Sequence, residues 1–184
     1  MAITINGSGS LGGVTSLPTT GLQLADSNMP AGSVLQVINS VKTGTQSTTS
    51  SSYVDITDLS VTITPVSSTS KILIMAKINH MAESSANGVY VNLVRNSTTL
   101  VGSTAGGVTD TYNAWATGGA GGMSNNDRKI TSCSLDYLDS PATTSATTYK
   151  MQIRADGTTV YVNRWGLNND IASVSSITAM EIAA

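Results

Sequence analysis

The chain has 184 residues, a net charge of −2 and a charged fraction of only 11%, well below the roughly 25% usual in globular proteins. This length suits one β-sandwich with a proper core and an additional arm, and the 40% hydrophobic content excludes a charge-rich disordered chain. With an isoelectric point near 5.1, the chain has no basic field for a nucleic-acid backbone, so we expect no nucleic-acid partner.

Residues 1–32 differ in composition from the rest of the chain. They contain six glycines and two prolines, and their short apolar pieces have no lasting period. Such a segment has too little apolar surface to fold alone, which predicts an extended arm that docks on a neighbour. The side chains predicted to anchor this arm are Leu11, Val14, Leu17, Leu22 and Leu24.

The start of the chain, MAITINGSGS, has neither the basic residues nor the apolar block of a signal peptide. No apolar run approaches the roughly 18 residues that a membrane span needs. We therefore expect synthesis in a cytoplasm and no membrane partner. The one cysteine, Cys133, excludes an intrachain disulfide, and its alternating position predicts a small buried thiol.

Strand signals begin at Ser33 with the alternating run SVLQVINSV. YVDIT and SVTITPV predict two short strands separated at Asp58-Leu59, and Pro65 ends the pair. KILIMAKINHMA follows, with largely apolar residues on both faces, which is expected of a central strand or of one against a partner. Asn87-Gly88 then predicts a tight turn before GVYVNLVRN.

Residues 102–128 are rich in glycine and predict a long loop or lid at one end of the sandwich. Aromatic side chains in polar loops suit the faces of sugars or contacts with proteins. The candidate surface-recognition residues are Tyr112, Trp115, Arg164 and Trp165. The alternative is that the two tryptophans fill core or subunit contacts.

The remaining strands are predicted in ITSCSLDYL, TTYKMQIRA, TTVYVNR and SSITAMEIA. In TTYKMQIRA, Tyr149, Met151 and Ile153 alternate with polar residues, which is the pattern of a strand with one wet face. No stretch of ten residues has a helical period. About eight to ten short strands without helices predict an all-β, jelly-roll-like antiparallel β-sandwich over residues 33–184.

No arrangement of residues in the sequence predicts catalysis or metal binding. His80 is the only histidine, and its place at the end of a strand predicts an edge or interface residue. One histidine and one cysteine cannot supply the three or four ligands of a zinc site. The NND clusters at 125–127 and 168–170 are read as solvated turns rather than calcium loops. We therefore predict no enzyme activity, no metal and no cofactor.

Several segments resemble one group of proteins: GSVLQVI, SYVDITDLSVTITPVSSTSKILI, LDSPATTSATTYKMQIRADGTTVYVNR and ITAMEIAA. They are similar to virion proteins of tailed phages, especially phages of marine bacteria and cyanobacteria. The resemblance covers about residues 32–184, and its most specific part is the LDSPATTSATTYK block at 138–150. This chain departs from the shared pattern at Val66 and at Tyr137, where phenylalanine is common.

The resemblance implies a non-enzymatic structural protein on the surface of a virion, with a jelly-roll-like domain that is typically trimeric. Residues 1–32 would bind the major capsid protein or another virion protein, and subunits would bury apolar faces such as those around Leu35, Leu73 and Met75. A capsid decoration or head-fibre protein is favoured, because the chain leaves no room for a fibre shaft. The alternative is a tail-fibre tip that recognises a host surface glycan through residues 102–128.

Overall fold

The computed structural model of the chain describes residues 29–82, 88–100, 104–105, 108–109, 116–119, 130–164 and 172–184. The strands in these ranges are β1 (Val34–Lys42), β2 (Gln46–Thr48), β3 (Val54–Ile63), β4 (Lys71–Ala82), β5 (Gly88–Arg95), β6 (Thr98–Thr99), β7 (Thr104–Ala105), β8 (Val108–Thr109), β9 (Ala116–Gly119), β10 (Thr131–Asp139), β11 (Thr147–Ala155), β12 (Val160–Val162) and β13 (Ser175–Ile182). Across these ranges there is no helix that is long and apolar enough to cross a membrane.

The strands form two antiparallel sheets. In the first sheet β1, β13, β4 and β10 lie side by side, and β12 continues along the edge of β4 beyond β13, with β2 beside it. In the second sheet β3, β11 and β5 lie side by side, and both β6 and β9 pair with the far edge of β5. Short strands β7 and β8 pair with each other.

Eight of the strands have the connectivity of a jelly roll. In chain order they are β1, β3, β4, β5, β9, β10, β11 and β13. The first pairs with the last, the second with the seventh, the third with the sixth and the fourth with the fifth. This nesting is produced when one long antiparallel hairpin is folded over into two sheets. The predicted all-β, jelly-roll-like antiparallel sandwich is confirmed.

Two sequence-based assignments of strands are wrong. Residues 102–128 are not simply a loop, because they contain β7, β8 and β9, and β9 pairs with β5. The Ala-Thr-Gly-Gly sequence of β9 has no apolar alternation, so only its backbone pairing identifies it as a strand. The break predicted at Asp58-Leu59 is also absent, because β3 is one strand from Val54 to Ile63.

The break is replaced by a β-bulge within β3. The pairing of β3 with β11 shifts between Lys150 and Gln152, and Asp58 has a φ of 64°. Aspartate tolerates this left-handed conformation better than most residues. Two steps along β11 oppose five steps along β3 at this point, so β3 has three additional residues there. This odd number keeps both Ile56 and Leu59 buried on the inner face, although they are three positions apart.

The inner faces of the two sheets form one core, as the alternation predicted. The alternate residues of β4 and β11 are its main buried members: Ile72, Ile74, Ala76, Ile78, Tyr149, Met151 and Ile153. Cys133 is half-buried and packs against this cluster, and burial raises the pKa of its thiol. The prediction of a small buried thiol is therefore only partly correct.

The LDSPATTSATTYK block closes one end of this sandwich. Asp139, at the end of β10, accepts hydrogen bonds from the Tyr149 hydroxyl at 2.6 Å and from Arg95 Nη1 at 2.9 and 2.8 Å. Burial, with the bond to Asp139 and its charge, raises the pKa of Tyr149, so its hydroxyl stays a donor. This clamp joins the first sheet to β5 and β11 of the second. The most specific segment of the sequence is therefore part of the scaffold.

A second buried polar cluster joins β12 to β13 beside β4. Asn163 is fully buried and has a φ of 62°. Its Nδ2 donates to the carbonyls of Lys42 (2.8 Å) and Gly44 (3.1 Å), and its Oδ1 accepts from Ser175 Oγ at 2.6 Å. Its backbone N–H donates to the carbonyl of Asn79 at 2.9 Å. All the side-chain hydrogen-bonding groups of Asn163 thus have partners, and no pattern in the sequence predicted this role.

Candidate functional site: the outer face of the first sheet

The exposed apolar side chains of the described residues collect on one surface. Seven large hydrophobic residues are between 42% and 54% exposed. Five of them belong to strands of the first sheet and point away from the core: Val34, Val37, Val41, Met75 and Leu138. The other two are Val66, between β3 and β4, and Val174, just before β13. This clustering distinguishes the outer face of the first sheet from the rest of the described surface.

The strand register arranges these side chains in rows across the sheet. Directly paired residues of antiparallel strands lie on the same face, with Cβ atoms about 5 Å apart. One row crosses four strands and is apolar throughout; this apolar row consists of Val37, Met180, Leu73 and Leu138. Because its members are direct neighbours in the register, the apolar row is a continuous ridge roughly 15 Å long across the sheet.

A shallow depression lies beside the apolar row. It has a volume of about 360 Å³, and its lining side chains are Met75, Lys77, Ser134, Asp136, Ser176 and Thr178. Serine and threonine supply the short side chains that leave this space open. Lys77 and Asp136 contribute one positive and one negative charge, so the lining has no net charge.

The outer face of the second sheet has the opposite character. Asp55 accepts hydrogen bonds from Lys150 Nζ and from Gln152 Nε2, each at 2.7 Å. These donors hold the pKa of the Asp55 carboxyl below its usual value. On the same face the hydroxyls of Thr62 and Thr148 are 2.8 Å apart. This face therefore presents polar groups that are already paired with one another.

The start of the described chain lies beside its end. Gly32 N donates to the carbonyl of Ala183 at 2.8 Å, and Ala183 N donates to that of Ser33 at 2.9 Å. Met29 lines a cleft of about 280 Å³ together with Leu35, Val66, Ala183 and Ala184 among others. The described part of the chain thus begins at this cleft, next to the Val34 end of β1.

A buried carboxylate supports this end of the domain. Glu181 is fully buried on β13, and it accepts hydrogen bonds from Gln36 Nε2 at 2.5 Å and from Val66 N at 2.8 Å. Burial raises the pKa of this carboxyl, but the donors outweigh that effect and hold the pKa below its ordinary value. The ionised carboxylate therefore ties β1 and the β3–β4 connection to β13.

Of the predicted recognition residues, only Arg164 lies in the described part of the chain. It forms an isolated bridge with Ala172, and its guanidinium lies 4.4 Å from the centre of the Tyr161 ring. This is a cation–π contact within the domain. The other candidates, Tyr112, Trp115 and Trp165, lie outside the described residues, as do the arm residues Leu11, Val14, Leu17, Leu22 and Leu24. Their roles stay predictions.

His80 is not the edge or interface residue that the sequence predicted. It is only 2% exposed in the central strand β4, between Thr131 of β10 and Val162 of β12. Burial lowers its pKa to about 4, so the ring is neutral at pH 7. Neither ring nitrogen has a hydrogen-bond partner among the described residues, so His80 does not activate the Cys133 thiol. The same residues contain no group of three or more metal-ligating side chains.

The chain matches no protein-family profile and no curated protein. Among solved structures it is weakly similar to the VP2 subviral particle of infectious bursal disease virus, with a TM-score of 0.35 and 15% identity. It is also weakly similar to the structure of the Gx strain of that virus, with a TM-score of 0.33 and 16% identity. Each match covers 91% of this chain but only 43% of the other, so this chain spans less than half of the length of those proteins. Similarity this low adds nothing to the fold that the strand pairing establishes.

Proposed function

We propose that this protein is a non-enzymatic structural protein on the surface of a tailed-phage virion, of the capsid decoration or head-fibre type. The proposal is carried by one observation, the apolar row on the outer face of the first sheet of this jelly roll. A surface that presents apolar side chains and no reactive cluster is suited to contact with another protein. The sequence resemblance at residues 32–184 supports the assignment of that contact to a virion.

The buried polar clusters support a scaffold role. Asp139, Arg95 and Tyr149 hold one end of the sandwich, and Asn163 holds the junction of β12 and β13. Buried hydrogen-bonded networks of this kind fix a single arrangement of the chain, which a particle-surface protein requires.

In this proposal residues 1–32 anchor the protein to the major capsid protein or another virion protein. Residues 1–28 would reach up to about 95 Å if fully extended, which is enough to extend well beyond their own domain. Asp26 is the one charged residue in that segment. Anchoring by this arm should therefore depend on apolar contacts, and its strength should change little with salt concentration.

Cosedimentation with virus particles tests the proposal. The full chain and a variant that lacks residues 1–28 would each be added to particles of the encoding phage from which this protein has been removed. We expect the full chain to sediment with the particles, and the shortened chain to keep its circular dichroism spectrum but stay in solution. Undiminished binding of the shortened chain would show that the arm is not the anchor.

Imaging decides where the protein lies on the particle. Gold-labelled antibody against the protein should mark the heads of intact virions in electron micrographs. Label confined to the tail tip would instead support the alternative, a receptor-binding module for a host surface glycan. Absence of label from purified particles would contradict a virion role altogether.

A further inference from the structure

We propose that the outer face of the first sheet is the docking site for a second copy of this chain. The inference deepens the proposed function, on which it rests, because it names both the surface and the partner through which the protein would associate with itself. It is carried by the apolar row and by the depression that lies parallel to it.

These exposed apolar residues lie outside the core of the single domain. Val37 is 54% exposed and Leu138 is 53% exposed, and both point away from the core that buries the opposite side of their strands. Five of the seven exposed large hydrophobic residues in the described ranges share this face. Scattered apolar residues are normal on a protein surface, but a continuous cluster indicates a contact with another molecule.

The ridge and the depression make the face complementary to itself. The apolar row and the row through Met75 are adjacent, which places them about 7 Å apart along the strands. A two-fold axis parallel to the rows and midway between the ridge and the depression would place each copy's ridge over the other copy's depression. This is an isologous contact, in which the same patch serves both subunits, so it forms pairs and differs from the trimer that the sequence resemblance implies. Leu73 would then pack against Met75 of the second copy.

The charges of the face agree with a partner surface that has no net charge. The depression contains Lys77 and Asp136 as a balanced pair, and the apolar row has no charge. A nucleic acid or an anionic surface would require an excess of positive charge, which this face does not have. The paired polar groups around Asp55 on the other sheet offer no matching apolar area.

The size of the face predicts how strong the association is. Four strands about 4.8 Å apart and three rows about 7 Å apart cover roughly 400 Å² in projection. A stable interface buries about 800 Å² on each partner, so this face alone supplies about half of that area. We therefore expect association that depends on protein concentration rather than an obligate complex.

Sedimentation equilibrium of the full chain between about 5 and 200 µM tests the inference. The weight-average mass should rise above the monomer mass of 18.9 kDa as the concentration increases. Val37→Lys and Leu138→Lys place a charge in the ridge, and each should raise the concentration of half-association at least tenfold. Thr57→Lys makes the same change of charge on an exposed residue of β3 in the second sheet, and it should associate like the unmodified chain.

Several results would overturn the inference. The inference is wrong if the chain stays monomeric up to 200 µM. It is also wrong if both lysine variants associate like the unmodified chain. If a lysine variant loses its circular dichroism spectrum, the milder pair Val37→Ala with Leu138→Ala replaces it, and unchanged association of that pair is equally decisive. A monomeric protein that still decorates virions would refute the docking site while the proposed function stands. An associating protein that is absent from virions would refute the function alone.

Discussion

The outer faces of the two sheets are produced by the same alternation of inward and outward residues, but one face is polar and the other is apolar. On the second sheet, outward-pointing Asp55, Lys150 and Gln152 pair with one another. On the first sheet, the corresponding outward positions of four neighbouring strands carry Val37, Met180, Leu73 and Leu138. A jelly roll needs only one buried face for each sheet, so the chemistry of the outer face is free to serve contacts with other molecules.

Both outer faces depend on the interior that the two sheets share. A substitution in that interior should therefore have the largest effect on stability. Asp139→Ala leaves the Tyr149 hydroxyl and Arg95 without their buried acceptor. We expect the free energy of unfolding to fall by about 3 kcal/mol, measured by urea denaturation followed by circular dichroism. Asp136→Ala, an exposed residue on the outer face of the same strand, is the matched control and should change it by less than about 0.5 kcal/mol. Equal losses in the two variants would contradict the clamp.

As the pH falls, the free energy of unfolding should decrease because of His80 in the interior before the carboxylate on the polar face is protonated. The folded protein keeps this ring neutral with a pKa of about 4, whereas the unfolded chain takes up a proton below pH 6.5. Stability is therefore fully present above pH 6.5 and falls as the pH decreases toward 4, by about 3 kcal/mol in total. Urea unfolding midpoints at half-unit steps of pH measure this slope.

His80→Leu removes the titrating group and should flatten the slope between pH 6.5 and 4.5. Asp55 and Glu181 have lowered pKa values in the folded protein. Their stabilising contributions are present above the ordinary carboxyl pKa and are lost only at lower pH, outside this window. A slope that persists in His80→Leu would assign the pH dependence to another group.

The polar face of the second sheet should contribute modestly to stability. Lys150→Met removes one donor to Asp55 from an exposed ion pair, and we expect a loss of about 0.5 kcal/mol. A double-mutant cycle with Asp55→Ala isolates the coupling between these two residues, and 1 M sodium chloride should reduce it. Coupling that is insensitive to salt would mean that the two side chains interact through packing instead of charge.

The apolar face should contribute least of all to the stability of the monomer. Val37→Thr keeps the β-branched shape of an exposed residue, so the free energy of unfolding should change by less than about 0.5 kcal/mol in dilute solution. The same variant should weaken the concentration-dependent association. A large loss of stability at 1 µM would show that the apolar row supports the fold of the single domain.

Much of the fold could be predicted because alternation is a local signal. The burial of Ile72, Ile74 and Ile78 follows from a period of two, and so does the burial of Tyr149 and its neighbours on β11. The order of the strands in the sheets could not be derived in the same way, because no local sequence pattern indicates that β1 pairs with β13. β9 could not be found at all, since its Gly-Gly end has no side chains to alternate.

The candidate site was predictable only in part. The two largely apolar faces of the KILIMAKINHMA segment indicated a central strand or one against a partner. The segment forms β4, a central strand of the first sheet, and Met75 on its outer face is 42% exposed. The apolar row itself joins residues as distant in sequence as Val37 and Met180, and only the register of the strands brings them together. The bulge at Asp58 and the buried junction at Asn163 are likewise set by pairing between distant segments.

The sequence by itself determined that this chain is a β-sandwich and which residues of its clearly alternating strands, such as β11, face inward. These properties depend on spacing along one strand, where neighbouring side chains point to opposite faces. Only the tertiary structure decided that the strands nest as a jelly roll, that His80 is buried, and that four separate strands align their apolar residues in one row. These properties depend on long-range pairing, in which a shift of register by one residue would move every one of those side chains to the other face.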